Sequence, residues 1–367
     1  MSFTTLNITD YVNTVDSVVY PAWSNGNSSL ANGGVPYTAS YTSSGNFYLD
    51  VYNDSIETPV FSAYTNIARQ YTIAYGHVSG SGSIRPFNSL VPSKTPTSVT
   101  YGQYRTLVYG SENAVFNFGT GNTSATDIFV ITIDRNRYKE SLYPSTFNLN
   151  LIQQAAGANQ GKVIQLTTNI QDVASNNLAI PYLDCGRAFD IVSGSDGKAI
   201  TNLVSGTTKA GYTSAGSYGL FLPDVGIIIL NPKALALEYA NGGILLTPTT
   251  TPVSMSAVPQ IQLSNAISNA AETAGQVGFT LDSEETVASS ILFVKVDGEN
   301  YNYTSNPTFI NGSGAITYDT LVDNPRTYVT TVGLYNANQD LLAVAKLSKP
   351  LPKDFTKELL VRVKLDW

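Results

Sequence analysis

Histidine and cysteine are almost missing from this chain: among 367 residues there is one of each, His77 and Cys185. A single cysteine excludes an internal disulfide. One histidine and one cysteine cannot make the His/Cys ligand sets of a structural zinc site. Any Ser-His-Asp arrangement would have to run through His77, and no Gly-x-Ser-x-Gly elbow accompanies it. His77 follows Tyr75-Gly76 and precedes a run of Gly and Ser, which reads as a structural histidine at a strand end. Arg187 lies close enough in sequence to Cys185 to lower a thiol pKa, yet the ordinary reading of a lone cysteine is a partly buried, inert thiol.

Charge is scarce as well. Asp, Glu, Lys and Arg make up 13% of the chain, with a net charge of -7, where about a quarter is usual. No basic patch stands out, so nucleic acid is not an expected partner. The longest apolar run, Val225 to Leu230, is too short to span a bilayer, and no membrane partner is expected. The opening stretch MSFTTLNITDYVNTV lacks the basic start and apolar run of a secretory signal; the expectation is a protein made in a cytosol.

Phosphate and calcium loops are missing too. Gly80, Gly82 and Arg85 do not make a Gly-x-Gly-x-x-Gly spacing. Gly197-Lys198 is followed by Ala199, and Val192 stands where a phosphate loop needs its first glycine. GSDG at 194–197 reads as a turn, without the alternating acidic ligands of a calcium loop. Among carboxylates, Glu284-Glu285 read as a solvated face or cap beside a helix end. Asp134 with Arg135 and Arg137 reads as a local ion-pair network. No constellation supports catalysis. The chain is expected to be no enzyme and to hold neither cofactor nor metal.

What is present is apolar and aromatic: 43% hydrophobic residues, 23 tyrosines and 29 glycines. Tyrosine favours strands and protein interfaces, where a rigid ring carries one polar tip. Period-2 alternation predicts strands in SGNFYLDVYND, TFNLNLI and the closing ELLVRVKLDW. In GLFLPDVGIIIL two strands flank a Pro-Asp-Val-Gly turn. Tyr328 to Leu334 and Leu341 to Lys346 form a hairpin around Asn336–Gln339. KPLPKDFTKE reads as a connector. Helices are expected at 97–109, 232–240 and 263–275, with one turn in RNRYKESL before Pro144. The predicted fold class is mainly β, with β-sandwich-like antiparallel sheets and a few short helices. Residues 1–35 read as an extended arm carrying Trp23, and 36–367 as a β-rich body with a subdivision near 250–285. A tryptophan in an arm needs a surface to rest on. A final strand ending in Trp367 makes sense if it is docked in its own sheet or a neighbour's. Tyr101 and Tyr104 in YGQYRTLVY, and Tyr301 and Tyr303 on one side of a strand in NYNYTSNP, complete the set of interface candidates. Core packing, subunit contact and sugar stacking all remain open for these tyrosines.

Several stretches carry a resemblance: AYGHVSGSGS, TYGQYRTLVYG, DIFVITIDRNRYKESLYPSTFNLNL, GLFLPDVGIIILNP, NYTSNPTFINGSG and, most specifically, YVTTVGLYNANQDLLAVAKLSKPLPKDFTKELLVRVKLDW. From about Tyr71 to Trp367 the chain resembles virion structural proteins of large contractile-tailed phages, cyanophages among them. The resemblance implies a virion component of the tail or baseplate. Its partners would be other virion proteins and copies of itself, and it carries over no catalytic residue. A capsid or neck component is the alternative within that class. A carbohydrate-binding receptor or tailspike is the alternative outside it, although no fibre-type repeat is visible. A hydrolase is disfavoured by the single histidine.

Overall fold

The computed structural model describes residues 5–30, 36–37, 48–52, 68–83, 95–119, 124–175, 180–200, 209–254, 257–274 and 277–366. The first strands are β1 (Tyr11–Pro21), β2 (Ser29–Leu30), β3 (Pro36–Tyr37), β4 (Tyr48–Tyr52) and β5 (Arg69–His77), followed by helix α1 (Pro96–Tyr109). Next come β6 (Phe116–Asn117), β7 (Ser124–Ala125), β8 (Asp127–Ile133), β9 (Ser141–Ile152), β10 (Val163–Thr168) and helix α2 (Ile170–Ser175). Then follow β11 (Tyr182–Leu183), β12 (Gly186–Arg187), β13 (Phe189–Ser195), β14 (Lys198–Ala199), β15 (Gly219–Leu222), β16 (Ile227–Leu230), and helices α3 (Pro232–Leu235) and α4 (Pro259–Ala274). The chain closes with β17 (Phe279–Val296), β18 (Thr327–Tyr335), β19 (Leu341–Lys353) and β20 (Leu359–Asp366). The protein is mainly β, as the alternation predicts, and its large sheet is antiparallel.

Two compact units divide the chain. A central unit comprises Val18–Glu285; a terminal unit combines Met1–Ser17 with Thr286–Trp367. The chain passes between them inside β1 and inside β17.

In the central unit the strand order runs β17-β9-β10-β13-β15-β16-β8-β5-β4-β3. Period-2 geometry sends alternate residues to opposite faces, and here both faces are dry. Phe129, Ile131 and Ile133 of β8 and Ile228 and Leu230 of β16 enter one core, while Ile128 and Val130 with Ile227 and Ile229 enter a second. That double burial is why IFVITI and IIIL read as unbroken apolar runs rather than alternating ones. Leu222 pairs with Ile227 across the predicted Pro223–Gly226 turn. Gly226 has φ 68, and a Cβ there would stand 2.7 Å from the Tyr138 ring, so both the backbone and the space require glycine.

The sheet curls so that distant strands share the first core. Phe279 of β17 lies 5.6 Å from Tyr71 of β5 and 5.7 Å from Phe147 of β9, and Phe147 lies 5.0 Å from Phe221 of β15. Helix α4 adds Leu263, Ala266 and Ile267 to the same core. Helix α1 covers the other face. It begins with Thr95 and Pro96, ends at Gly110 with φ 62, and buries Tyr101 and Val108 against Phe116, Ile128 and Val130.

Several expectations need correction. Trp23 is 2% exposed, 5.0 Å from Phe279 and 6.0 Å from Tyr71, so it anchors the chain to the unit's own core and presents nothing to a neighbour. The helical turn before Pro144 is a 3₁₀ turn at Arg135–Arg137, and Pro144 lies inside β9. It falls where the pairing with β17 shifts, between Tyr143–Asp282 and Asn148–Thr280, so no ladder N–H is needed there. Glu284 stands opposite Ser141 in a strand, not beside a helix end. The helix after Asn231 is limited to Pro232–Leu235, with a 3₁₀ turn at Tyr239–Asn241.

Phe147 joins three parts of the curled sheet. Replacing it with alanine is expected to cost about 3–5 kcal/mol, read as a lowered midpoint of denaturant unfolding. A loss under about 1 kcal/mol would contradict this packing.

Candidate interaction surface

The reactive side chains are quiet. Burial, with Asp184 and Asp224 nearby, pushes the Cys185 thiol up, away from the reactive thiolate. Arg187 does not activate it: its guanidinium binds Asp224 through Nε at 2.9 Å and Nη2 at 2.6 Å. His77 Nδ1 lies 3.0 Å from the Ser79 hydroxyl in the turn that ends β5. Asp134 accepts from Asn136 N at 3.0 Å and Arg69 Nε at 2.7 Å, so its direct ion pair is with β5, while Arg137 acts on it only through its charge. Asp196-Gly197 forms a tight hairpin between β13 and β14, with φ 50 and 74, as GSDG suggests. Among the described residues no three His, Cys, Asp or Glu side chains converge as metal ligands, and no helix is long and apolar enough to cross a membrane.

The terminal unit has a different character. Strand β20 pairs with β17 from Ser289–Asp366 to Val296–Leu359. Val361 and Val363 are buried while Leu360, Arg362 and Lys364 are exposed, the alternation read from ELLVRVKLDW. Beside them, β1 reaches β17, with the Ser290 hydroxyl 2.8 Å from Asn13 Oδ1. Strands β18 and β19 form a separate two-stranded sheet, paired from Thr327–Lys353 to Tyr335–Leu341. Of the piece expected as a connector, Lys349 to Lys353 continues β19 and only 354–358 links it to β20. Pro352 sits opposite Tyr328, and a two-stranded ribbon has outer edges where a missing N–H costs nothing.

What holds this unit is largely polar. Lys353, with no exposed surface, donates from Nζ to Gly298 O, Asn302 Oδ1 and Asp354 O, each at 2.8 Å. The Thr356 hydroxyl, followed by its amide and Lys357, holds the Asp354 carboxyl below the usual range. Thr327 ties the start of the hairpin to Tyr301 O at 2.6 Å. Among the described residues, only three of the 54 buried apolar side chains (Phe309, Val361 and Val363) belong to the terminal unit. By contrast, 16 of the 27 exposed large apolar side chains do. The hairpin alone exposes Tyr328, Tyr335, Leu341, Leu342 and Val344, the last two at 68% and 60%. Ile8, Tyr11, Val12, Val15, Phe355 and Leu360 are exposed elsewhere in the same unit.

The residues singled out from sequence fall in both units. Trp23 and Tyr101 are core residues, Tyr101 donating its hydroxyl to Ala125 O at 2.7 Å. Tyr104 is half-buried on α1, its hydroxyl 3.0 Å from that of Thr132. Tyr301 and Tyr303 are exposed in the terminal unit but lie in a turn region, not a strand, and Tyr301 has φ 59. Trp367 lies outside the described residues. The hairpin side chains were missed, although a signal existed: in YVTTVGLY and LLAVAKL, apolar residues occupy both parities. One dry face explains only half of them.

Comparison with family models, curated proteins and solved structures finds no match for this chain.

Two predictions follow from this chemistry. Lys353→Met removes a donor from three buried oxygens and is expected to loosen the terminal unit by about 3 kcal/mol. The readout is faster protease cleavage within 297–326; wild-type cleavage rates would contradict the clamp. In the central unit, burial chiefly raises the Asp190 pKa, partly offset by the Tyr212 hydroxyl and Lys209. A raised folded pKa means that stability falls as pH rises from the unfolded value of 3.8 through the folded one. Asp190→Asn is therefore expected to compare more favourably with wild type near pH 7 than near pH 4. A difference independent of pH in thermal melts would contradict this.

Proposed function

We propose that this chain is a structural subunit of a tailed-phage virion, in the tail or baseplate, that works by burying surface against copies of itself and other virion proteins. The observation that carries this reading is the concentration of exposed apolar side chains on the terminal unit. An isolated two-stranded hairpin is marginal in water, and exposed apolar side chains gathered in this number mark a contact site. Its two strands also differ in their guards. Between Thr327 and Tyr335, β18 has no charged residue and no proline, whereas β19 carries Lys346, Lys349, Pro350, Pro352 and Lys353. Lysine and proline discourage strand addition, so β18 is the edge left open to it. The sequence resemblance is strongest over this same region, which links the open edge to virion assembly.

The test is a Leu342→Lys/Val344→Lys double variant supplied in trans to a phage lacking the gene. Both side chains are exposed, so the free protein should melt within about 1 kcal/mol of wild type. Its copy number in particles, counted by quantitative mass spectrometry, is expected to fall at least tenfold. Unchanged incorporation and infectivity would contradict the assembly reading.

A further inference from the structure

We propose that the groove between α1 and the outer face of β4, β5 and β8, within the central unit, binds a neutral oligosaccharide. This inference is independent of the virion reading. The groove encloses about 820 Å³, within the range that holds small-molecule ligands.

The sequence marks the spot by breaking its own pattern. On this face β8 supplies Ile128 and Val130 to a dry core and then Thr132; β5 supplies Ala74 and then Thr72. Thr72 and Thr132 stand directly opposite each other in register. Two hydroxyls thus replace apolar side chains at the floor of a concavity. Both are held in place: Thr72 donates to Asp50 Oδ1 at 2.9 Å, and Thr132 meets the Tyr104 hydroxyl at 3.0 Å.

The charges in the groove are already committed. Arg69 is bound to Asp134 at 2.7 Å and lies 3.6 Å from Asp50. Arg135 lies over the Tyr138 ring at 4.5 Å and donates to Tyr138 O at 2.6 Å. An anion would have to compete with two carboxylates for Arg69, and a cation would have to displace Arg69 from Asp134. A neutral polyhydroxylated ring pays neither cost. Its hydroxyls both donate and accept, so they match the Arg69–Asp134 pair and the Gln103 amide, which has no hydrogen bond among the described residues. Its C–H faces match the half-buried Tyr48 and Tyr104 rings and Val99 on the wall. An aromatic and apolar wall facing a few convergent polar groups is the pattern of a small-ligand site.

The experiment screens the full chain on an array of neutral, sialylated and sulfated oligosaccharides, then titrates the best neutral ligand by calorimetry. Two variants accompany it. Gln103→Trp fills the groove from an exposed helix position, and Thr132→Val removes a floor hydroxyl at nearly constant volume. Saturable binding of a neutral oligosaccharide is expected, weakened at least tenfold by Gln103→Trp and several-fold by Thr132→Val, with unchanged circular dichroism. If Gln103→Trp disturbs the fold, Thr132→Val decides alone. The proposal is overturned by no neutral ligand on the folded protein, by binding confined to anionic glycans, or by a neutral ligand that a folded variant binds as tightly as wild type.

Discussion

Apolar surface has to be covered, and the two units meet that constraint in opposite ways. In the central unit the sheet is dry on both faces. One face closes on a core shared by Trp23, Tyr71, Phe147 and Phe279 with α4, and the other is covered by α1. Burial of that extent gives the unit its own stability at roughly 25 cal/mol per Å² of apolar surface removed from water. The terminal unit reverses the proportion. Its long ribbon has apolar side chains on both faces and little to set against them, and its interior is organised around an ammonium held by three oxygens. Such a segment sits at the low end of a protein's local stability range, and covering it with another chain supplies the burial it lacks.

Under the proposed role the chain works through surface rather than through reactive groups. Its raised carboxyl and thiol pKa values at Asp190, Asp127 and Cys185 all have burial as the leading cause. These shifts report packing. Under the same proposal, the low charge content leaves few like-charge repulsions to oppose close approach, and the lysines and prolines of β19 would direct a partner to the other edge. Under the proposed role the central unit serves as the body and the terminal unit supplies the surface to be covered.

Strands, turns and helix ends were legible where local chemistry decides them. Pro223–Gly226, the span of α1 and the alternation of β20 all follow from residue type and spacing alone. Class followed from the same signals. What could not be read was anything set by long-range contact. Trp23 lies in an Asn/Ser/Gly-rich stretch that looks like a loose arm, and only the arrival of Tyr71 and Phe279 makes it core. Pro144 looked like a terminator because nothing local announces the register shift opposite it. Tyr301 and Tyr303 carry strand-type residues, but Tyr301 adopts a left-handed backbone in a turn region. The double-sided apolar pattern of β18 and β19 was visible, yet without the fold it could equally have meant a buried strand, as it does for β8 and β16.

The most direct test of the account is hydrogen–deuterium exchange at the backbone amides of β18 and β19, compared between the free protein and the protein within assembled particles. The account predicts rapid exchange across Thr327–Tyr335 in the free chain and at least tenfold slower exchange once assembled, while β8 and β16 stay protected in both. Equal exchange at β18 in the two states would show that no partner covers it, and would contradict the claim that this surface exists to be buried.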